Sequence, residues 1–357
     1  MAIDQETLHK VQTEEPEVAP VDLSWMNGGS EWGISAKPGK RGLTLDEVNV
    51  GSYGKVPQES VSQTARPRGA AVRAGVPHTG YYIRDAGSVW SQNATMLYEE
   101  AVQRQWSSAT DIPWGDIEQL PEEIEAAMCQ LCTFLTEVEF IAGDTPSQWL
   151  PRISNDHFET KLFLATQIMD EARHLDVFRK RALVNGGGLL KSSPTAGLRV
   201  IINARDFTEM SSIMHVQAEG FVQSMFRMGE LVANSDVEKR IFRMCAQDES
   251  RHLGFGVMHL KYVLETEPER REEIHSYFDE AENADPETGT FGPSVAESLI
   301  ILLGKGSQNF DDGFNKFLAL QKRQANEYMH RLSVAGLGDR RERMDPNMRV
   351  FLDPPAA

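Results

Sequence analysis

The sequence predicts an all-α protein: a four-helix bundle with additional helices and a long irregular N-terminal arm. Two five-residue strings lead to it, Asp170-Glu171-Ala172-Arg173-His174 and Asp248-Glu249-Ser250-Arg251-His252, both of the form Asp-Glu-x-Arg-His. On a helix residues i and i+3 share a face, so the Glu and His of each string reach the same point in space. A helix carrying further glutamates precedes each string. Two Glu-x-x-His pairs with one more glutamate from each of two other helices build a di-iron or di-manganese site inside a bundle.

The elements follow in order. Residues 1–80 are rich in Gly, Pro, Ser and charge, and Asn27-Gly28-Gly29-Ser30 and Lys37-Pro38-Gly39-Lys40 signal turns, so this part reads as the arm. The bundle is assigned to 81–270, a helical extension to 271–335 and an irregular tail to 336–357. Helical character begins near Ser88 and runs to about Trp106. Pro121 opens the next helix, which passes Glu139 and is ended or kinked by Gly143 and Pro146. A third runs from about Asn155 to Val184, before Gly186-Gly187-Gly188. A fourth covers roughly 198–233, Asn234-Ser235-Asp236 supplies a turn and an N-cap, and a fifth continues to about Glu265. Asp279 to Gly292 reads as an acidic loop, and helical pattern returns from Val295 to His330.

Composition narrows the function classes. The chain has 357 residues, 40% hydrophobic and 8% aromatic, enough for a sizeable core. A net charge of -17 argues against nucleic acid and anionic lipid as partners. No apolar run approaches the length of a membrane span, Leu299-Ile300-Ile301-Leu302-Leu303 being far too short, and the acidic residues Asp4, Glu6 and Glu14 leave no visible secretory signal. Three cysteines fit a reducing, cytoplasmic setting. Cys129 and Cys132 share a Cys-x-x-Cys spacing, but no second pair completes a zinc tetrahedron, so they read as core thiols.

Spacing then selects the remaining carboxylates. Glu219 lies 15 residues before Asn234, and Glu249 lies 15 residues after it. Two antiparallel helices joined there bring both to one level, about 22 Å from the turn at 1.5 Å per residue. In the first half Ile124, Met128, Leu131, Leu135, Val138 and Ala142 form one stripe. Glu139 sits beside it and Glu137 points away. A carboxylate on the core face needs a metal or a counter-charge, which selects Glu139. Glu139 thus precedes Glu171 by 32 residues, and Glu219 precedes Glu249 by 30.

The predicted ligand set is Glu139, Glu171, His174, Glu219, Glu249 and His252. Its oxygens and nitrogens suit iron or manganese, and its four negative charges match two ferrous ions. Without metal several carboxylates would have to take up protons. Asp170 and Asp248 are expected to bond the histidines of the opposite string, with Arg173 and Arg251 as charge partners. His215 and Cys245 stand one turn before ligands and read more simply as core. A pair of Glu–Arg surface networks would leave the same strings without any metal.

At these residues the chain resembles the ferritin-like di-iron carboxylate superfamily, over roughly residues 88–265. The run Glu137-Val138-Glu139-Phe140, followed by the first Asp-Glu-x-Arg-His string, is similar to the hydroxylase subunits of bacterial multicomponent monooxygenases and to oxygenases like the ribonucleotide reductase small subunit. Departures limit the likeness. Phe178 stands where the reductase subunit typically has a tyrosine, Gln223 where the hydroxylases have a threonine, and Cys245 where the aryl-amine N-oxygenases add a histidine.

The resemblance implies an oxygenase or oxidase with two Fe ions, or Mn/Fe, and O2 as co-substrate. It would hydroxylate, desaturate or N-oxidise a small organic substrate, with electrons from an external ferredoxin or reductase. A homodimer is expected. Phe178, Phe221, Gln223 and Met225 are candidates to line the pocket, although their helical spacing reads more often as plain core. A ferroxidase, iron-storage or peroxidase-type protein is the alternative, although such chains are usually shorter compact bundles. A non-catalytic bundle that keeps its metal for folding is a third.

Overall fold

The computed structural model describes residues 4–13, 21–27, 33–193, 196–284 and 292–354. The turn read at Asn27-Gly28-Gly29-Ser30 and the acidic stretch 285–291 fall largely outside them. Among the described residues there are helices and isolated bridges but no strand.

The bundle is formed by α2 (Glu122–Ser147), α3 (Phe158–Val184), a composite α4 and α5 (Asp236–Thr266), preceded by the shorter α1 (Ala94–Gln103). Composite α4 consists of Phe207–Ser211, a π-helical stretch Ser212–Ala218 and Glu219–Val232. Helix α2 packs along α3 and α4 along α5, and α1 lies against α3 and α5. Three further helices follow: α6 (Arg271–Glu282), α7 (Pro293–Gly304) and α8 (Phe310–Val334). Helix α7 covers α2, and α8 covers α7 and α4.

The core is split in two by a polar layer. One apolar cluster holds Leu135, Phe178, Phe226 and Ala246, and the other holds Ala142, Phe163, Met214 and Phe255. On each bundle helix the predicted ligands fall between a residue of one cluster and a residue of the other. A layer of carboxylates and imidazoles at mid-bundle is thereby sealed from water at both ends.

Several boundaries differ from the sequence reading. Helix α1 begins at Ala94 rather than near Ser88, where Asp85 instead caps a 3-10 turn. Helix α2 passes Gly143 and ends at Ser147, one residue after Pro146. Proline there removes one bond in the last turn, where little helix remains to lose. The predicted 198–233 helix is broken: Ala196–Ile202 is separate, and Asp206 starts α4 by accepting from the Glu209 N–H at 2.8 Å. Asp-x-x-Glu at 206–209 carried that signal. Asp279 to Glu282 is helical rather than loop.

The Val295–His330 pattern is also two helices. They part at Lys305, which adopts φ 58°, and Gly306. The tail is docked rather than irregular throughout: Leu337, Arg340 and Met344 are buried, with short helices at Arg340–Arg343 and Pro346–Arg349. Against the sequence reading, helix α2 is long and apolar enough, by length and composition, to cross a membrane. In this fold 67% of its apolar window is buried among the other helices.

Candidate metal centre

All six predicted ligands meet in the polar layer, each at most 5% exposed. They form two groups whose donor atoms lie within 4.8 Å of one another: Glu139, Glu171, His174 and Glu249, and Glu171, Glu219, Glu249 and His252. Glu171 and Glu249 belong to both. Glu137, the rejected alternative, instead accepts from the Ser193 N–H at 3.0 Å.

The two halves repeat each other. His174 Nδ1 lies 3.2 Å from Glu171, 3.3 Å from Glu249 and 3.7 Å from Glu139. His252 Nδ1 lies 3.0 Å from Glu171, 3.4 Å from Glu249 and 3.8 Å from Glu219. Behind the rings the strings cross over. His174 Nε2 donates to Asp248 at 3.2 Å, and His252 Nε2 donates to Asp170 at the same distance. With the ring proton held on Nε2, Nδ1 presents a lone pair to the cluster. Arg251 bonds Asp170 at 2.8 Å and Asp248 at 2.5 Å, while Arg173 bonds Asp248 at 3.1 Å and also pairs with Asp170.

The donor set itself tests whether a metal pair fits. Nδ1 of both histidines, both oxygens of Glu171 and one oxygen each of Glu139, Glu219 and Glu249 are buried without a hydrogen-bond partner. Buried acceptors left facing each other are costly, and a cation among them removes the cost. The protonation pattern agrees. Burial, then neighbouring carboxylates, pushes Glu139 and Glu219 well above the usual carboxylate range. Burial also acts on Glu171, but His252 and His174 outweigh it and hold that carboxyl well below. Both imidazoles are raised well above their usual value against the opposing effect of burial, His252 chiefly by Glu171 and Glu219. The metal-free site is therefore one that retains protons where two divalent cations would replace them.

Sequence reasoning missed two supports, Gln167 and Trp106, and read His215 as the buried core histidine it is. Gln167, one turn before Glu171, donates Nε2 to Glu219 Oε1 at 2.9 Å. Its own oxygen accepts from His215 Nε2 at 3.1 Å, and His215 Nδ1 accepts from Ser211 at 2.9 Å. Burial pushes His215 down to about 3, so it is neutral in this chain of bonds. It is tied to the site through Gln167 rather than part of it. Trp106 donates its indole N–H to Asp248 at 2.7 Å. The i, i+4 register of Gln167 and Glu171 was a readable signal; Trp106, 142 residues from its partner, left none.

Beside Glu139, Glu219 and Glu249 lies an apolar pocket lined by Val138, Ile141, Leu198, Ile201, Met214 and Val222. None of the four candidate lining residues borders it, in keeping with their reading as plain core. Phe178 packs on Phe226, Phe221 on Tyr328, Gln223 bonds Ser250 at 2.6 Å, and Met225 faces a separate apolar space beside α7.

Neither a protein-family model nor a curated protein matches the sequence. Solved structures do match. Two point mutants of an R2-like ligand-binding oxidase with an aerobically reconstituted Mn/Fe cofactor superpose with TM-scores of 0.54 and 0.53, both at 19% identity. A third mutant, with an Fe/Fe cofactor, gives 0.52 at 18%. Each alignment covers 69% of this chain and 94% of the other. The fold is that of the R2-like oxidases. About a third of the present chain lies outside it.

Proposed function

We propose that this chain is an O2-dependent oxidoreductase that holds two irons, or a manganese–iron pair, and oxidises a small apolar molecule. One observation carries the reading: two groups of four buried donor atoms, sharing Glu171 and Glu249, face each other with both imidazole Nδ1 atoms unpartnered. Glu139 and His174 complete one site, and Glu219 and His252 complete the other. When bound, such a pair supplies the redox chemistry by which O2 is reduced.

The protein's own part is positional. Asp248 and Asp170 fix the histidine tautomers, and Gln167 holds one oxygen of Glu219 while the other stays free. Glu139 and Glu219 are the carboxyls that release protons as cations enter. The apolar lining at the Glu139, Glu219 and Glu249 edge suits an uncharged apolar group, because a polar one would lose its water without finding partners. The oxidation is hydroxylation, desaturation or N-oxidation.

Electrons come from an external ferredoxin or reductase, since all three cysteines are buried and free and no flavin or Fe–S motif is present. The free thiols also support a cytoplasmic location. Phe140 and Met169, more than half exposed on neighbouring α2 and α3, offer surface to a second copy in a homodimer.

The test is anaerobic loading with ferrous iron, elemental analysis, and rapid mixing with O2 under spectroscopic observation. Two irons per chain and a transient absorbing species are expected, both lost in Glu171→Ala and Glu249→Ala. Failure of the intact chain to take up metal would refute the proposal. Iron accumulating far beyond two per chain would mark storage instead.

A further inference from the structure

Glu219 differs from the other ligands in its backbone. It stands where the π-helical stretch Ser212–Ala218 returns to α-helix, and its own N–H donates to the Met214 carbonyl. A π turn inserts one extra residue per turn, so its register decides which side chain points into the bundle, and such stretches are seldom stable alone. Something must hold it. Gln167 and His215 act on the side-chain face. The backbone on the opposite face is held from outside the bundle, by α8.

Arg331 of α8 is 6% exposed and donates Nε to the Val216 carbonyl at 3.1 Å, inside the π stretch. One turn further along α4, Gln324 donates to the Phe221 carbonyl at 2.9 Å. Glu327 of α8 accepts from Ser224. Three side chains on one face of α8 therefore grip α4 on both sides of Glu219. The contact is tight: a Cβ on Gly220 would stand 2.3 Å from Arg331 Nη2, so residue 220 has to be glycine for the guanidinium to reach the backbone. Burying this guanidinium is costly and lowers its pKa to about 10, and one of its nitrogens finds no partner. A cost carried only to cover α4 would be met more cheaply by leucine.

We infer that Arg331 is a positioning residue for the metal centre: it fixes the π register that aims Glu219, and so sets the affinity of the site Glu219 shares with His252. The C-terminal helix thus belongs to the functional apparatus. The inference rests on Glu219 being a metal ligand, as proposed above.

Anaerobic calorimetric titration of the full chain with ferrous ion tests it. The intact protein should bind two ions in resolvable steps, and Glu219→Gln identifies which step depends on Glu219. Arg331→Met keeps the apolar stem and removes the donors. It should weaken that same step at least tenfold, the range seen when outer partners of metal ligands are removed, and leave the other within about twofold. Equal weakening of both steps, or of neither, would overturn the inference. If the methionine variant does not fold, Arg331→Lys decides: weakening confined to the Glu219 step upholds the idea, and any other pattern overturns it. No binding by the intact chain is a separate result, which removes the metal reading itself.

Discussion

Gly256 lacks a side chain for a reason found on another helix. A Cβ there would lie 2.3 Å from His215 Cβ, so α5 leaves a notch into which α4 presses. Gly256→Ala would gain up to about 1 kcal/mol of helix propensity. It would cost about 1–3 kcal/mol of overpacking, because the opposing atom sits next to a backbone and cannot swing away. The expected outcome is a lower denaturation midpoint, with the Gln167–His215 chain disturbed and ferrous binding weakened. A midpoint equal to or above that of the parent would show that α4 can yield. Side-chain identity announced the ligands at this scale, since Glu and His are unusual on a buried face. It did not announce Trp106, and it hinted at Gln167 only through its place one turn before Glu171, because the bonds both make are to other helices.

Among the elements, the segment before α1 is fastened to the start of α3 by charges taken out of water. Arg68 pairs with Glu159, their side chains 5% and 0% exposed, and also donates to the Asp156 carbonyl at 2.7 Å. Arg66 meets Asp156 at 3.2 Å. Removing one partner of a buried pair leaves the other charged and unsolvated, a loss of about 3–5 kcal/mol. Arg68→Ala should therefore destabilise the whole protein in chemical denaturation. If instead it only exposes residues 44–80 to protease while the midpoint holds, the arm is an independent wrap. Periodicity located α2, α3 and α5 well because each is long, and Ser235 also caps α5. It failed where continuity was broken by conformation rather than by composition, as at Lys305, or where the helix changed type, as at Ser212–Ala218.

For the molecule as a whole, stability should depend on pH from two directions. His215 and His259 are pushed down by burial, from 6.5 to about 3 and about 4. Folding selects their neutral forms, so this contribution is complete above pH 6.5 and is lost as pH falls towards 4 and 3. His174, His252, Glu139 and Glu219 are raised, so the metal-free protein keeps their contribution below the ordinary values and loses it as pH climbs through the folded ones. Melting temperatures of the chelated protein should fall as pH climbs above the ordinary histidine value, and bound metal should flatten that slope by replacing the protons. Identical slopes with and without metal would contradict the protonation pattern assigned to the centre.

The sequence by itself determined the helical class and the six residues that meet at mid-bundle. Both depend on repeats along one chain: the i, i+3 relation of Glu171 to His174 and Glu249 to His252, and equal depth about the turn at Asn234. The crossing of the two strings, Asp248 to His174 and Asp170 to His252, was also expected from sequence; tertiary structure alone decided that Gln167 and Trp106 reach the centre, through Glu219 and Asp248. It alone decided that a distant arginine on α8 grips the turn before Glu219, and which apolar residues face the carboxylates. Those relations are distances between helices, set by packing of both faces at once, and no periodicity within one helix encodes them.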